Sequence, residues 1–256
     1  MIDSPKAQLR FQPEWRITLF TLLLVPLMLG LGGWQLQRAE EKSSILQLSQ
    51  VRQAQAPVPI QGLFESSADQ LAYLPVRLQG EYLGKPTFLI DNQIYRGQFG
   101  YHVITPFRLE HSERLVLVNR GWIAGDPSRR TLPDIPSVKG PIQLIGHIYV
   151  PPGKPYTVGE VTLSETWPKV IPHIEFAAMH QLLNTAEVFF PYQVRLDATA
   201  EGGLLIDWKI INVAPEKHTG YALQWFTMAI FLTIFYILRT SNLKSFILNR
   251  RGESGI

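Results

Sequence analysis

His218 is the side chain whose type and position suggest a binding role most directly. It lies three residues before Tyr221, at the start of a long apolar run, so its imidazole would be at the mouth of a membrane helix. A neutral imidazole is a common axial ligand of haem iron. A flat, mostly apolar cofactor could rest there against Tyr221, Trp225 and Phe226, with its propionates in interfacial water. The alternative is that His218 is only a polar anchor of the helix.

Two arginines suggest a second kind of chemistry, the binding of carboxylate or phosphate groups. Arg96 and Arg120 each precede a glycine next to a predicted strand. A guanidinium binds such anions in a bidentate manner, and glycine beside a strand permits a bulge or a close approach of another backbone. The alternative is that each arginine satisfies a buried carbonyl group or pairs with Asp91 or Asp126.

Signatures of catalytic and metal sites do not appear between residues 34 and 220. This segment contains no G-x-S-x-G, S-x-x-K or H-E-x-x-H motif. His173 and His180 are seven residues apart on a predicted helix, which separates them by about 10.5 Å, too far for one metal ion. The whole chain has no cysteine, which excludes disulfides, thiolate zinc sites, iron–sulfur clusters and covalently attached c-type haem. We therefore expect a protein that is not an enzyme.

Two uncharged apolar segments must position these residues. They explain why a chain of 256 residues with 18% charged residues has a mean hydropathy of +0.03. Residues 17–37 and 219–238 each carry no charge and are long enough, as helices, to cross a hydrocarbon core of about 30 Å. The alternatives are buried core helices and, for the first segment, a cleavable signal peptide. An uncleaved anchor is favoured because the first apolar run is long and no A-x-A motif follows it.

Basic residues next to the two segments predict the orientation. The terminal segments hold seven basic and three acidic residues, whereas the part between them holds 17 basic and 18 acidic residues. Positive charges accumulate on the cytoplasmic side of membrane helices. We therefore expect a bacterial inner (plasma) membrane protein with both termini cytoplasmic and the main domain periplasmic. The pI of about 9.1 then reports contact with anionic lipid, and no nucleic-acid partner is expected.

The sequence between the apolar segments predicts a mainly β domain. Residues 40–55 have helical spacing and prolong or follow the first membrane helix. Alternating apolar and polar residues between turn signals then predict strands, interrupted by one helix at 173–184. The predicted strands are 74–83, 87–92, 100–107, 114–123, 142–150, 188–196 and 204–213.

The predicted fold class is an α+β membrane protein. Two transmembrane helices flank a mainly β extracytoplasmic domain, either an antiparallel sheet or a partly closed barrel. The predicted organisation is a cytoplasmic tail at 1–16, a transmembrane helix at 17–37, a periplasmic domain at 38–218, a second transmembrane helix at 219–238 and a cytoplasmic tail at 239–256.

Four short motifs, taken together, resemble the surfeit locus protein one family, the cytochrome c oxidase assembly factors. They are LGGWQLQR at 31–38, RGQFGYHVITPF at 96–107, VLVNRGWI at 116–123 and HTGYALQWF at 218–226. Each motif alone is weak. Their order and the two bounding apolar segments make the resemblance specific, and it covers nearly the whole chain, from about Trp15 to Trp225.

The resemblance implies a role in assembling a haem–copper oxidase. It implies a protein that delivers or stabilises haem a during assembly of cytochrome c oxidase subunit one, with haem a synthase as a further candidate partner. The alternative is a membrane chaperone that binds the oxidase subunit without a cofactor. One departure from the family pattern is the basic segment after Trp122, which is short here and contains Arg129 and Arg130.

The resemblance also assigns roles to individual residues. The family's proposed haem ligand corresponds to His218, a candidate axial ligand of the haem iron. The other residues expected at the cofactor are Tyr221, Trp225, Arg96 and Arg120. Those expected to contact a protein partner are Trp34, Arg38 and Trp122.

Overall fold

A computed structural model describes residues 10–151, 153 and 166–243. Contacts divide the chain into a helical unit, within Met1–Leu46 and Ile211–Ile256, and a sheet unit, within Gln47–Ile210. In chain order the elements are α1 (Trp15–Gln53), β1 (Val58–Pro59), a short 3-10 helix (Ile60–Leu63), α2 (Ala68–Leu71), β2 (Pro75–Tyr82), β3 (Phe88–Tyr95), β4 (Gln98–Leu109), β5 (Arg114–Ala124), β6 (Ile142–Tyr149), β7 (Lys169–Ile171), α3 (Phe176–Leu183), β8 (Val188–Phe189), β9 (Gln193–Leu196) and α4 (Pro215–Thr240).

The helical unit consists of α4 and the first part of α1, which run antiparallel. The hydroxyl groups of Thr18 and Tyr236 are 3.0 Å apart, and Gln35 contacts His218 at the other end of the pair. The two contacts are separated by about 26 Å of helix axis, close to the thickness of a hydrocarbon core. The backbone N–H of Gln12 donates to the carbonyl of Thr240, so the described parts of the two tails meet at one end.

Both helices are long and apolar enough to cross a membrane. Only 11% of each apolar stretch is buried, which does not fit a helix in the core of a soluble domain. Leu22, Leu223 and Phe231 are about two-thirds exposed and would contact lipid. Helix α1 is also continuous to Gln53, so residues 40–53 prolong it instead of forming a separate helix.

Within the described residues, the sheet unit is built on nine strands in one mixed sheet. The strand order is β1-β2-β6-β9-β5-β4-β3-β7, with β8 on β5. An additional pairing of β2 with β4 closes a ring of five strands, β2, β6, β9, β5 and β4. The predicted fold class is confirmed, with two apolar helices flanking a sheet domain. The sheet is less uniformly antiparallel than expected because β1–β2, β3–β7, β5–β8 and β5–β9 are parallel pairs.

The predicted strand at 204–213 is wrong. Only Leu205 pairs there, as an isolated bridge to Trp122, and the rest of the segment has no strand pairing. The other predicted strands and the helix at 173–184 are confirmed to within a few residues, except that 188–196 is divided into β8 and β9. Alternation of apolar and polar residues predicts a half-buried segment, but it does not supply a neighbouring strand.

The core of the sheet unit lies on both sides of β5. Val116 and Val118 point into the main cluster, whereas Leu117 packs in a second cluster with Met179 of α3. All three β5 side chains are fully buried. Because successive strand residues face opposite sides, the continuous apolar run of β5 fits a strand that is covered on both faces.

Candidate functional site

His218 is held by Gln35 across the helical unit. Its Nδ1 is 2.7 Å from Oε1 of Gln35, and the imidazole is half-buried. Pro215 occupies the first turn of α4, where the missing N–H costs nothing, so His218 lies near the helix start. The contact exists because the antiparallel pair brings position 35 of α1 opposite position 218 of α4.

This hydrogen bond determines which ring nitrogen of His218 is available. A carbonyl oxygen accepts, so Nδ1 carries the proton and donates to Gln35. The lone pair is then on Nε2, which has no hydrogen-bond partner among the residues that the structure describes. An N–H···O bond on the opposite nitrogen is the usual way in which a protein orients a metal-binding imidazole. Gln35 was not predicted as a site residue, although it lies inside the 31–38 motif.

Two of the predicted aromatic residues lie on the same side of α4 as His218. Tyr221 and Trp225 follow it by three and seven residues, and these spacings share one helix face. Tyr221 is 50% exposed, and Trp225 is half-buried. Phe226 has a different position, because its ring packs over Gly32, where a Cβ would come within 2.5 Å of Cε1. Phe226 therefore contributes to the packing between the two helices.

Trp34 and Arg38 form an exposed pair on α1. Trp34 is 49% exposed, and the Cζ atom of Arg38 is 5.9 Å from the centre of its indole ring. Arg38 also makes an ion pair with Glu41, at 2.6 Å between Nη1 and Oε2. Both predicted partner-binding residues of the helical unit are thus accessible.

Arg120 belongs to the sheet unit and is buried, with 3% exposure. Its Nε donates to the carbonyl of Gly202 and its Nη2 to the carbonyl of Pro136, both at 2.7 Å. Burial lowers the pKa of Arg120, and the nearby Tyr82 opposes this shift. The arrangement matches the alternative in which the arginine satisfies buried carbonyl groups.

A β-bulge accounts for the position of Arg120. The β4–β5 register changes between the pairs His102↔Trp122 and Ile104↔Asn119, so β5 has one extra residue. Gly121 has φ 112°, and a Cβ there would lie 2.6 Å from the carbonyl oxygen of Leu205. The predicted bulge and close approach at this glycine are therefore confirmed.

The other two predicted residues of the sheet unit lie in different surroundings. Trp122 is 8% exposed, and its indole N–H donates to the carbonyl of Gln93, at 2.8 Å. Arg96 is exposed at the tip of the two-residue β3–β4 hairpin, where it and Gly97 both have positive φ. The close approach expected at Gly97 is wrong, because nothing lies within 4 Å of the position that a Cβ would take. Gly97 instead adopts the positive φ that the hairpin turn requires.

The described part of the sheet unit contains no cluster of side chains that could form a metal site. Among residues 10–151, 153 and 166–243, no three His, Asp or Glu side chains lie close enough together to hold a metal ion. The ring of His102 packs against Trp208, and burial, assisted by the charge of Arg195, lowers the pKa of His102 to about 4. His102 is thus a neutral packing residue near neutral pH.

Comparison with protein-family models matches residues 22–230 to the SURF1 family. The match covers well over half of the chain. The chain belongs to the SURF1 family. This confirms the family suggested by the four motifs, all of which lie within the matched residues.

Members of the SURF1 family from bacteria and animals align with most of the chain. A SURF1-like protein of Rickettsia felis is 26% identical, over 90% of this chain and 99% of that protein. A SURF1-like protein of Caenorhabditis briggsae is 26% identical, over 88% of this chain and 75% of that protein. Surfeit locus protein 1 of Homo sapiens is 25% identical, over 82% of this chain and 73% of that protein.

Proposed function

We propose that this SURF1-family protein is an assembly factor for cytochrome c oxidase, a haem–copper terminal oxidase. It holds haem a transiently and aids its insertion into subunit one or the stabilisation of that subunit. The observation that carries the proposal is the hydrogen bond from His218 to Gln35, which leaves the lone pair of the imidazole on Nε2. Family membership supports the oxidase role in general terms.

The residues of the helical unit fit a haem cargo. Haem iron accepts a lone pair from a neutral imidazole, and Gln35 keeps His218 in the required tautomer and orientation. Tyr221 and Trp225 offer aromatic surfaces on the same helix face to the apolar ring system. A single axial ligand suits transient delivery, because the affinity of the carrier must be below that of the final acceptor.

The predicted arginines are not equally suited to propionates. Arg96 is exposed, so it is the arginine that we assign to a propionate or a carboxylate of the partner. Arg120 already donates to two carbonyl groups inside the sheet unit, and its cofactor contact remains a prediction. Trp34, Arg38 and Trp122 remain the proposed contacts to subunit one and haem a synthase.

Haem content tests the proposal. The protein would be expressed in a haem a-producing bacterium and purified in mild detergent, and its absorption spectrum and haem-to-protein ratio would be measured. We expect haem a with the wild type and its loss with His218→Ala. Gln35→Leu should bind haem about 10- to 100-fold more weakly, as happens when a metal-binding histidine loses its hydrogen-bond acceptor. His111→Ala is the matched control, because the His111 side chain is 90% exposed.

Two results would contradict the ligand assignment: absence of haem a from wild type and His218→Ala alike, or equal haem content in both. The oxidase role itself has a separate readout, which is the amount of assembled oxidase in cells that lack the wild-type protein.

The second candidate is a membrane chaperone that binds subunit one without a cofactor. The exposed pair of Trp34 and Arg38 favours it, because a half-exposed indole beside a cation is typical of a protein contact. In that case subunit one co-purifies equally well from cells that cannot make haem a, and Trp34→Ala with Arg38→Ala abolishes co-purification.

A further inference from the structure

A cavity of about 690 Å³ lies within the sheet unit, and all the residues that line it belong to that unit. Its volume is in the range of small-molecule sites. The polar side chains that line its inner part are Tyr82, Thr87, Thr105 and Arg120, each less than a tenth exposed.

Tyr82 supplies a buried hydroxyl group that lacks a partner. Its ring packs edge-on against Phe107, with centroids 5.2 Å apart, and the residue is only 8% exposed. The hydroxyl oxygen has no hydrogen-bond partner among the residues that the structure describes. Burial raises the pKa of Tyr82, so the hydroxyl stays protonated and can donate. A buried donor without an acceptor is costly to a fold, so a molecule that enters the cavity and accepts from this hydroxyl would remove that cost.

Arg120 adds donors and positive charge to the same cavity. Of its five N–H groups, only one on Nε and one on Nη2 are used in the bonds to Gly202 and Pro136. The Cζ atom lies 5.3 Å from the ring of Tyr82. No carboxylate forms an ion pair with Arg120 in the described part of the chain.

The lining of the cavity has an excess of positive charge and one apolar wall. Lys85 and Lys139 are exposed at its margin, so with Arg120 there are three cations against the single carboxylate of Asp134. The apolar wall is formed mainly by Ile135, Val138 and Trp167. A ligand with an anionic group and an apolar body would therefore find a positively charged surface for the first and an apolar surface for the second.

We propose that this cavity binds a small organic carboxylate. The carboxylate accepts hydrogen bonds from Tyr82 and Arg120 on the inner side, and the apolar body of the ligand lies against Trp167 and its neighbours. Lys85 and Lys139 attract the anion to the mouth of the cavity. The proposal is independent of haem binding by His218.

A titration with 4-(trifluoromethyl)benzoate tests the proposal. Haem-free full-length protein would be placed in phosphatidylcholine nanodiscs, and binding would be followed by the ¹⁹F NMR signal of the probe. The neutral probe 4-(trifluoromethyl)benzyl alcohol has the same body without the charge. We expect saturable binding of the carboxylate, and binding of the alcohol at least about tenfold more weakly.

Two variants distinguish this site from partition into lipid. Tyr82→Phe removes only the unpartnered hydroxyl and keeps the ring on Phe107, so the fold should persist while affinity for the carboxylate falls about fivefold. Lys85→Ala with Lys139→Ala should weaken binding and reduce its dependence on salt. The exposed Lys209 lies outside the cavity, and Lys209→Ala should bind as the wild type does.

Three results would overturn the proposal. They are no saturable binding of the carboxylate, equal binding of the two probes, or unchanged affinity in both Tyr82→Phe and the double lysine variant.

Discussion

Gly121→Ala should destabilise the sheet unit strongly, because two separate costs add at this position. A side chain at φ 112° costs about 1–2 kcal/mol. The new Cβ would lie 2.6 Å from the carbonyl oxygen of Leu205, which accepts the backbone N–H of Trp122 at 2.7 Å. Moving that carbonyl weakens the bond and costs about 1 kcal/mol more. The sum of about 2–3 kcal/mol corresponds to a fall in Tm of about 4–12 °C for a unit of this size.

Two other glycines provide matched controls for Gly121→Ala. Gly97 has φ 79° with open space around its Cβ position, so Gly97→Ala has only the backbone cost of about 1–2 kcal/mol and should lower Tm by about 2–8 °C. Gly62 has neither a positive φ nor a close neighbour, and Gly62→Ala should leave Tm within about 2 °C. Differential scanning fluorimetry of the full chain in detergent measures all three. A Gly121→Ala protein as stable as Gly62→Ala would refute the assigned bulge geometry.

Two further predictions concern a buried histidine and the helix pair. The folded pKa of His102, about 4, is below its unfolded value of 6.5, so the unfolded chain takes up the proton first. The free energy of unfolding should therefore fall as the pH decreases from about 6.5 to about 4. In His102→Phe, Tm should depend less on pH over that range. An unchanged dependence of Tm on pH in this variant would contradict the lowered pKa of His102. The chain has no cysteine, and the Tyr236 hydroxyl reaches Thr18 through the whole length of its phenol ring. Thr18→Cys with Tyr236→Cys should therefore be cross-linked by a short bismaleimide, whose spacer replaces the length of the lost ring. Equal cross-linking of Thr18→Cys with Thr219→Cys would contradict the antiparallel pairing.

The elements of the fold were largely predictable because their patterns are local. Charge-free segments of helical length mark α1 and α4, and alternation marks strands such as β2. Pairing partners were not predictable, because they depend on contacts between distant segments. The segment at 204–213 alternates as a strand does, yet its backbone hydrogen bonds to β5 are limited to those of Leu204 and Leu205 with Arg120 and Trp122, at the bulge.

The candidate site was predictable in part for the same reason. His218 stands out in the sequence because it lies next to an apolar run. Its partner Gln35 is 183 positions away, so their contact forms only when α1 and α4 pack together. Sequence likewise cannot show that Trp122 is buried or that Arg120 donates to Gly202 and Pro136. The cavity around Tyr82 combines five separate segments, and neither Tyr82 nor residues 133–139 belong to any of the four motifs.

Membrane topology is the claim on which the proposed role of His218 most depends, and the cysteine-free chain allows a direct measurement. Single cysteines would replace the exposed residues Arg130 in the sheet unit and Gln12 in the N-terminal tail. A membrane-impermeant maleimide would then be added to intact bacterial spheroplasts or to lysed cells. We predict that Arg130→Cys is labelled in intact spheroplasts and Gln12→Cys only after lysis. Labelling of Gln12→Cys before lysis, with Arg130→Cys protected, would contradict the account.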